Sequence, residues 1–201
     1  MELSEYLRNP CGQSYITIPP HITILHHRDF TPEAATGCKN QLYFRLIHDL
    51  RSIPDCNQSE FRLEPTSPEQ GELITAIVNQ SYPDIRITKD MVQAMQNSSA
   101  YCPELWILAR EEETGAAVGC AMGEFDPQSG EMSIEWVQVL PPFRRRGIGK
   151  ILVSELLRRT PEGTRFVTVS GQVANDSNPE ALYRCCGFTG NDYWHILSKE
   201  I

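Results

Sequence analysis

Residues 137–157 carry the clearest chemistry in this sequence. They read VQVLPPFRRRGIGKILVSELL, an apolar segment followed by a turn rich in arginine and glycine and then by an amphipathic segment. The first N–H groups of a helix lack intrahelical acceptors, and the helix dipole places partial positive charge at the same end. Because both features attract phosphate oxygens, the sequence predicts a diphosphate-binding turn at the start of a helix.

The residue types of this turn fit that chemistry. Gly147 and Gly149 remove side chains where a diphosphate would lie against the main-chain amides that begin at Ile148. Four cationic side chains would add charge-assisted donors at its rim: Arg144, Arg145, Arg146 and Lys150. We therefore expect these residues to set both the affinity and the position of a phosphorylated ligand.

Two common glycine-rich phosphate loops do not match the turn. A dinucleotide-binding fingerprint needs a glycine three residues after Gly149, where the sequence has Leu152. A mononucleotide P-loop needs a glycine in place of Arg144 and Ser or Thr in place of Ile151. The turn thus belongs to another class of phosphate site.

A second motif follows near the C-terminus, in residues 178–188, which read NPEALYRCCGF. Asn178 before Pro179 is typical of a helix start, and Gly187 is typical of a helix end. The motif therefore predicts a short helix, preceded by a strand over residues 165–173.

The two motifs together resemble one family. The turn fills the pattern Arg-x-x-Gly-x-Gly, and the later helix carries Ala-Leu-Tyr and Gly-Phe. Both resemble motifs of the GCN5-related N-acetyltransferases (GNAT), in that family's order, over roughly the last two-thirds of the chain. The resemblance implies acetyl-CoA as co-substrate, direct transfer of the acetyl group to an amine in a ternary complex, and no metal.

The resemblance also implies catalytic roles. Glu135 is the expected proton acceptor, with Glu131 and Ser133 in reserve on the same strand. Tyr183 is the expected proton donor to the departing thiolate, and the backbone N–H of Val137 is the expected donor to the developing oxyanion.

Further binding residues follow from the same resemblance. The main chain around Val139, with Gln138 beside it, is expected to hold the pantetheine arm. Asn178 is expected to contact the cofactor as well as to cap its helix, and Asn175 competes for that contact. The acceptor walls are expected to include Tyr82 and Trp136, with Asp84 between the first two helices.

Two other functional classes stay open at this point. The chain could be an acyl-CoA-binding regulator that keeps the fold without catalysis. It could also be a scaffold or a toxin-neutralising partner that binds no coenzyme A at all. The complete turn and Tyr183 favour an enzyme.

The composition and net charge limit the classes of molecule that this protein is expected to bind. The chain has 201 residues, a formal net charge of −8 and a pI near 5.1, which argues against nucleic-acid binding and suits a cationic acceptor, either a small molecule or a peptide amine. Neither a signal peptide nor a membrane span is evident, so we expect a cytoplasmic protein without membrane contact. The seven cysteines form no C-x-x-C pair or metal-ligand pattern, and one of Cys185 and Cys186 should be buried.

The elements that must position these residues can be predicted from residue 60 onward. Periodicity and caps give a strand at residues 61–64, helices over 67–82 and 88–96, strands at 105–109, 116–125 and 131–139, the helix after the turn, and a final strand at 193–197. This order resembles the whole GNAT fold, an α/β architecture with a mixed central sheet flanked by helices. In that fold the strands before and after the turn's helix separate and leave a cofactor cleft.

Residues 1–59 carry less information and are predicted to be an N-terminal extension of the 60–201 acyltransferase domain. Residues 22–25 suggest a strand, and residues 41–50 suggest an amphipathic helix. We favour a packing appendage. A rival hypothesis makes the segment a lid or a homodimer contact, because Tyr43 and Phe44 lie in a basic and apolar patch.

Overall fold

A computed structural model describes residues 16–55, 60–82, 86–175 and 177–199. The strands in these ranges are β1 (Ile22–His26), β2 (Cys38–His48), β3 (Phe61–Pro65), β4 (Tyr101–Glu111), β5 (Ala117–Asp126), β6 (Glu131–Val139), β7 (Phe166–Gln172) and β8 (Thr189–Lys199). The helices are α1 (Gly71–Ser81), α2 (Lys89–Gln96), α3 (Ile148–Arg158) and α4 (Pro179–Cys185), with short 3-10 turns between elements.

The strands form one mixed sheet in the order β1-β8-β2-β7-β6-β5-β4-β3. The β6–β7 pair is parallel, and the other pairs are antiparallel, including the β4–β5 and β5–β6 hairpins. From β3 to β8 the element order agrees with the sequence prediction. The predicted fold class, a mixed sheet flanked by helices, is confirmed.

β6 and β7 are paired over only part of their length. Their parallel register runs from Glu131 opposite Phe166 to Ile134 opposite Val169. Beyond this point β6 continues to Val139 beside β5, whereas β7 continues to Gln172 beside β2. The two strands therefore part where the sequence predicts a cleft.

The helix predicted at residues 41–50 is wrong, because this stretch lies in β2. Leu42, Phe44 and Leu46 are spaced two residues apart, which is the period of a strand, and Phe44 and Leu46 are each 1% exposed. β2 pairs with β7 on one side and β8 on the other. Residues 22–48 thus contribute two strands to the same sheet as the rest of the chain, so the sheet crosses the predicted division at residue 59.

Both predicted caps are present: Ser67 caps a 3-10 turn, Pro68–Gln70, that leads into α1, and Thr88 caps α2. Gln70 Oε1 accepts a hydrogen bond from the Ser67 N–H at 2.8 Å, and Thr88 Oγ1 accepts one from the Met91 N–H at 3.2 Å. In α3 the apolar residues predicted to pack on the sheet are buried: Ile148, Ile151, Leu152 and Leu156.

Two further details bear on the sequence predictions. Cys186 is buried and Cys185 is exposed, which confirms that one of the two lies in the core. Among the helices in the described ranges, none is both long and apolar enough to cross a membrane.

Candidate active site

The predicted phosphate turn joins the end of β6 to α3. Arg145 and Gly147 have positive φ angles of 65° and 81°, a left-handed conformation that costs glycine little. The N–H of Ile151 donates to the Gly147 carbonyl at 3.1 Å, which closes the first turn of the helix. The preceding amides, at residues 148–150, meet no acceptor in the part of the chain that the structure describes. They are therefore available to an anion.

Two of the four cationic side chains of the turn are engaged within the protein. Arg144 donates to the Val139 carbonyl at 3.1 Å and to the Ser81 carbonyl, and thereby ties the turn to the end of α1. Arg146 forms ion pairs with Glu60 at 3.0 Å and Glu111 at 3.4 Å. These two guanidinium groups support the turn from either side.

The other two cationic side chains are differently placed. Arg145 is exposed and Lys150 half-buried, and neither makes a hydrogen bond or an ion pair with any residue in the described ranges. Within the turn, Arg145 and Lys150 are thus the cations with unused hydrogen-bonding capacity.

Gly149 has a second role that the sequence does not reveal. A Cβ atom at this position would approach Leu182 Cδ2 of α4 to 3.1 Å, a close contact. The glycine therefore lets α3 and α4 pack tightly, which brings the turn and the Tyr183 helix together.

Glu135 occupies a β-bulge in β6. Ile134 pairs with Gly123 and Trp136 pairs with Met122, so Glu135 has no opposite residue on β5. A bulge bends its strand and redirects side chains. This one lies immediately after the last residue of β6 that pairs with β7, at the base of the cleft.

Glu135 is exposed to solvent, although many protein atoms surround its carboxyl group. This combination describes the floor of a cleft. Burial raises the pKa of Glu135, while a hydrogen bond from Ser133 and the charge of Arg45 oppose the rise. A carboxyl group with a raised pKa is a stronger base once ionised.

Tyr183 lies on α4 with 7% of its surface exposed, and its ring contacts those of Phe44 and Phe188. Burial raises the pKa of its hydroxyl, and the charges of Tyr82, Cys186 and Glu135 act in the same direction. The Glu135 carboxyl group is therefore near enough for its charge to act on the Tyr183 hydroxyl. Tyr183 is thus held in its protonated form.

The residues that follow the bulge form one side of the cleft. Val137 pairs with Ala121 of β5 and Val139 with Gly119, and the opposite edge of this segment lies beyond the β6–β7 pairing. Gln138 is buried, whereas Trp136, Val137 and Val139 are half-buried.

The remaining predicted residues lie around the end of α1 and the loop after β7. The Tyr82 hydroxyl is 3.1 Å from the Ser177 hydroxyl, which donates to Asn175 Oδ1 at 2.6 Å. Asn178 caps α4 by accepting from the Ala181 N–H at 3.4 Å. The Asn175 side chain thus forms its hydrogen bond within the loop, and the Asn178 side chain forms its hydrogen bond with the start of α4. Asp84 falls outside the described residues.

Two neighbours of this site, both on β2, were not predicted from the sequence. Phe44 packs against Tyr183, and Arg45 acts on Glu135 and pairs with Glu131. The two-residue alternation of Leu42, Phe44 and Leu46 could have indicated a strand, but no local pattern indicates its place beside β7.

Comparison with known protein families agrees with this geometry. The family model described as "Acetyltransferase (GNAT) family" matches residues 72–188, which is more than half of the chain. The match contains the bulge, the turn and Tyr183. No sequence among curated proteins matches significantly.

Solved structures with a similar fold include several acetyltransferases. A GCN5-related N-acetyltransferase from Sphaerobacter thermophilus superposes with a TM-score of 0.68 at 23% identity, over 89% of this chain and 59% of its own. Ard1 from Thermoplasma volcanium superposes with a TM-score of 0.56 at 19% sequence identity, over 71% of this chain and 99% of its own. A third structure is diaminobutyrate acetyltransferase EctA from Paenibacillus lautus, solved with L-2,4-diaminobutyric acid and coenzyme A. It superposes with a TM-score of 0.55 at 13% sequence identity, over 71% of this chain and 96% of its own.

Some of these relatives are longer than this chain. The chain spans 59% of the Sphaerobacter structure and 54% of a second one, a Drosophila protein. At identities below a quarter, these likenesses establish the fold.

Proposed function

The chain belongs to the GNAT acetyltransferase family, and on this premise we propose that it transfers an acetyl group from acetyl-CoA to an amine by direct attack in a ternary complex. The proposal depends on one observation above all. The amides at residues 148–150 meet no acceptor among the described residues, and they follow the length of β6 that separates from β7 and carries Glu135 at its start.

The turn offers what the diphosphate of coenzyme A requires. Main-chain N–H groups at a helix start and the side chains of Arg145 and Lys150 supply donors and positive charge without breaking an existing contact. Arg144 and Arg146 would hold the turn in shape. The free edge of β6 at Val137–Val139 would pair with the amides of the pantetheine arm, with Gln138 beside it. The role of Asn178 would be to orient α4.

The reaction needs a deprotonated amine. Glu135 would accept the proton that the attacking nitrogen loses, directly or through one water. As the C–N bond forms, the carbonyl oxygen becomes negative, and the Val137 N–H would stabilise it.

The C–S bond then breaks and leaves a thiolate, which Tyr183 would neutralise. Because burial raises the pKa of Tyr183, its hydroxyl is a weak acid and transfers its proton only as the thiolate charge develops. Its first contribution is therefore a hydrogen bond that becomes stronger in the transition state.

The acceptor is proposed to be a primary amine on a small molecule or a peptide. Tyr82 and Trp136 are half-buried near the ends of α1 and the bulge, where they would form an apolar wall. The net charge of −8 favours the approach of a cationic amine. The EctA structure holds a diamino acid together with coenzyme A, which supports an amine acceptor for this fold.

The decisive experiment combines binding with turnover. Acetyl-CoA should raise the melting temperature of the purified protein, and a panel of amines should reveal acceptor-dependent release of free thiol. Protection without thiol release for any amine would favour a non-catalytic acyl-CoA-binding regulator. Absence of protection by any coenzyme A species would exclude the proposed cofactor and favour a scaffold or toxin-neutralising role.

A further inference from the structure

A buried ion pair lies beneath the candidate catalytic site. Arg45 Nη2 of β2 is 2.9 Å from Glu131 Oε1 of β6, and the two side chains are 4% and 0% exposed. Because β7 lies between β2 and β6 in the sheet, this ion pair reaches across a whole strand. The contact therefore connects the N-terminal segment directly to the strand that carries Glu135.

The ion pair is joined to the intervening strand. The hydroxyl group of Thr168, on β7, donates a hydrogen bond to the same oxygen, Glu131 Oε1. Thr168 lies opposite Ser133, one step before the last β6–β7 pair, and Ser133 is the residue that donates to Glu135. The polar cluster of Arg45, Glu131, Ser133 and Thr168 thus lies where the two strands begin to separate.

Stability alone does not explain this cluster. Removing two charges from water costs about as much as their attraction returns, and well-packed apolar residues often serve equally well. Glu131 Oε2 is moreover buried without a hydrogen-bond partner among the described residues, so the group is incompletely satisfied. An arrangement of this kind is better explained by what its charges do for a neighbour.

We propose that Arg45 is a positioning residue of the catalytic site: through Glu131 it holds the β6–β7 junction next to the Glu135 bulge, and it places a buried positive charge at that junction. The inference rests on the proposed function, since it assigns Arg45 a role through Glu135. It also gives the N-terminal segment a part in catalysis that neither motif of the sequence contains.

The electrostatic surroundings of Glu135 support this role. The charged and titratable groups that act on it are Arg45 from β2, Glu131 from its own strand and Tyr183 from α4, with Tyr82 at the end of α1 acting on Tyr183. Among them Arg45 is the one cation. Burial also raises the pKa of Glu131, while its contacts with Arg45 and Thr168 favour the ionised carboxylate.

The test compares two variants that differ only in the charge of Arg45. Glu131→Gln breaks the ion pair but keeps the cation, whereas the double variant Arg45→Met with Glu131→Gln removes both charges and leaves no uncompensated ion in the core. Each is measured for kcat/KM against pH with the best amine of the panel. The Arg45→Lys variant, which keeps a cation, serves as the rescue.

We expect the acid limb of the profile to lie at higher pH in the double variant than in Glu131→Gln. On that limb, activity should be lower by about 3- to 10-fold, because a change of one pKa unit corresponds to a factor of ten. The Arg45→Lys variant should keep the acid limb of the wild-type pH profile. If the acid limbs of the pH profiles of the double variant and Glu131→Gln coincided, the inference would be overturned, since a purely structural role would affect both variants alike.

A second measurement separates this inference from the proposed function. Carbon-13 NMR of glutamate-labelled protein follows the Glu135 carboxyl group directly, with the signal assigned by its loss in Glu135→Gln. If the wild type turned over but the Glu135 titration were the same with and without the Arg45 charge, the inference would fail and the function would stand. If no amine were acetylated, the function would fail, and the role of Arg45 in catalysis with it.

Discussion

The ring of Phe44 on β2 lies 6.3 Å from the ring of Tyr183 on α4, with the two planes inclined at 56°. Phe44 is 1% exposed and passes directly over Gly171 of β7, where a Cβ atom would come within 2.5 Å of its ring. A residue near the start of the chain therefore helps to fix the proposed acid near its end. The contact depends on the insertion of β2 beside β7.

Truncation of Phe44 should destabilise the protein and loosen Tyr183. For Phe44→Ala we expect a loss of about 3–5 kcal/mol in the free energy of unfolding, measured by urea denaturation, because a large buried ring leaves a cavity. Val173→Ala is the control: Val173 is 41% exposed, and its truncation should change stability by less than about 0.5 kcal/mol. Equal effects of the two substitutions would contradict the assigned packing.

Tyr183→Phe should reduce turnover without weakening cofactor binding. Loss of a proton donor to the leaving group should lower kcat about 100-fold, while the Kd for acetyl-CoA and the melting temperature stay close to wild type. Tyr193→Phe is a matched control, since the Tyr193 hydroxyl donates to Glu180 at 3.5 Å and not to a residue of the proposed catalytic site. Full turnover in Tyr183→Phe would remove this residue from the mechanism.

The pH dependence of activity should follow the ionisation of the Glu135 carboxyl group. A base acts in its ionised form, so activity is lost as pH falls through the pKa of Glu135, and because burial raises this pKa the loss should begin above the usual range of a glutamate. Glu135→Gln should abolish this limb and lower kcat/KM about 100-fold. Glu180→Gln, which breaks a partly exposed ion pair with Arg184 on α4, provides the control. Persistence of the limb in Glu135→Gln would assign the base elsewhere.

The four cations of the turn should divide into two classes. Arg145→Ala and Lys150→Ala should each raise the Kd for acetyl-CoA about tenfold in calorimetry, because each removes an uncommitted charged donor. Arg146→Ala should raise this Kd by no more than about twofold, through weaker support of the turn and not through a lost phosphate contact, since its guanidinium is held by Glu60 and Glu111. Equal losses of affinity for all three would show that Arg146 leaves its carboxylates on binding.

Deletion of residues 1–59 should prevent formation of the stable fold. The deletion removes β2, which pairs along both sides, and exposes the edges of β7 and β8 to solvent and to other chains. We expect a protein that aggregates or unfolds without cooperativity, as measured by size-exclusion chromatography and thermal melting. A monomeric, active fragment 60–201 would instead establish the predicted division at residue 59.

Local patterns in the sequence predicted most of what lies between β3 and β8. The caps at Ser67 and Thr88, the turn before Ile148 and the alternation of apolar residues depend on neighbours within a few positions. The same patterns predicted one role in phosphate binding for Arg145 and Arg146, because sequence spacing does not reveal that Glu60 and Glu111 pair with Arg146. Only the folded chain distinguishes Arg146 from Arg145.

The sequence by itself determined the family, the glycine-containing turn before Ile148 and the order of the elements from β3 to β8, because these reside in short contiguous motifs whose backbone geometry is local. The tertiary structure alone decided that β2 lies between β7 and β8, that Glu135 occupies a bulge at the base of the cleft, and that Arg45 reaches Glu131 across a strand. Strand pairing over such long separations depends on which buried faces fit together, and no local pattern encodes that choice.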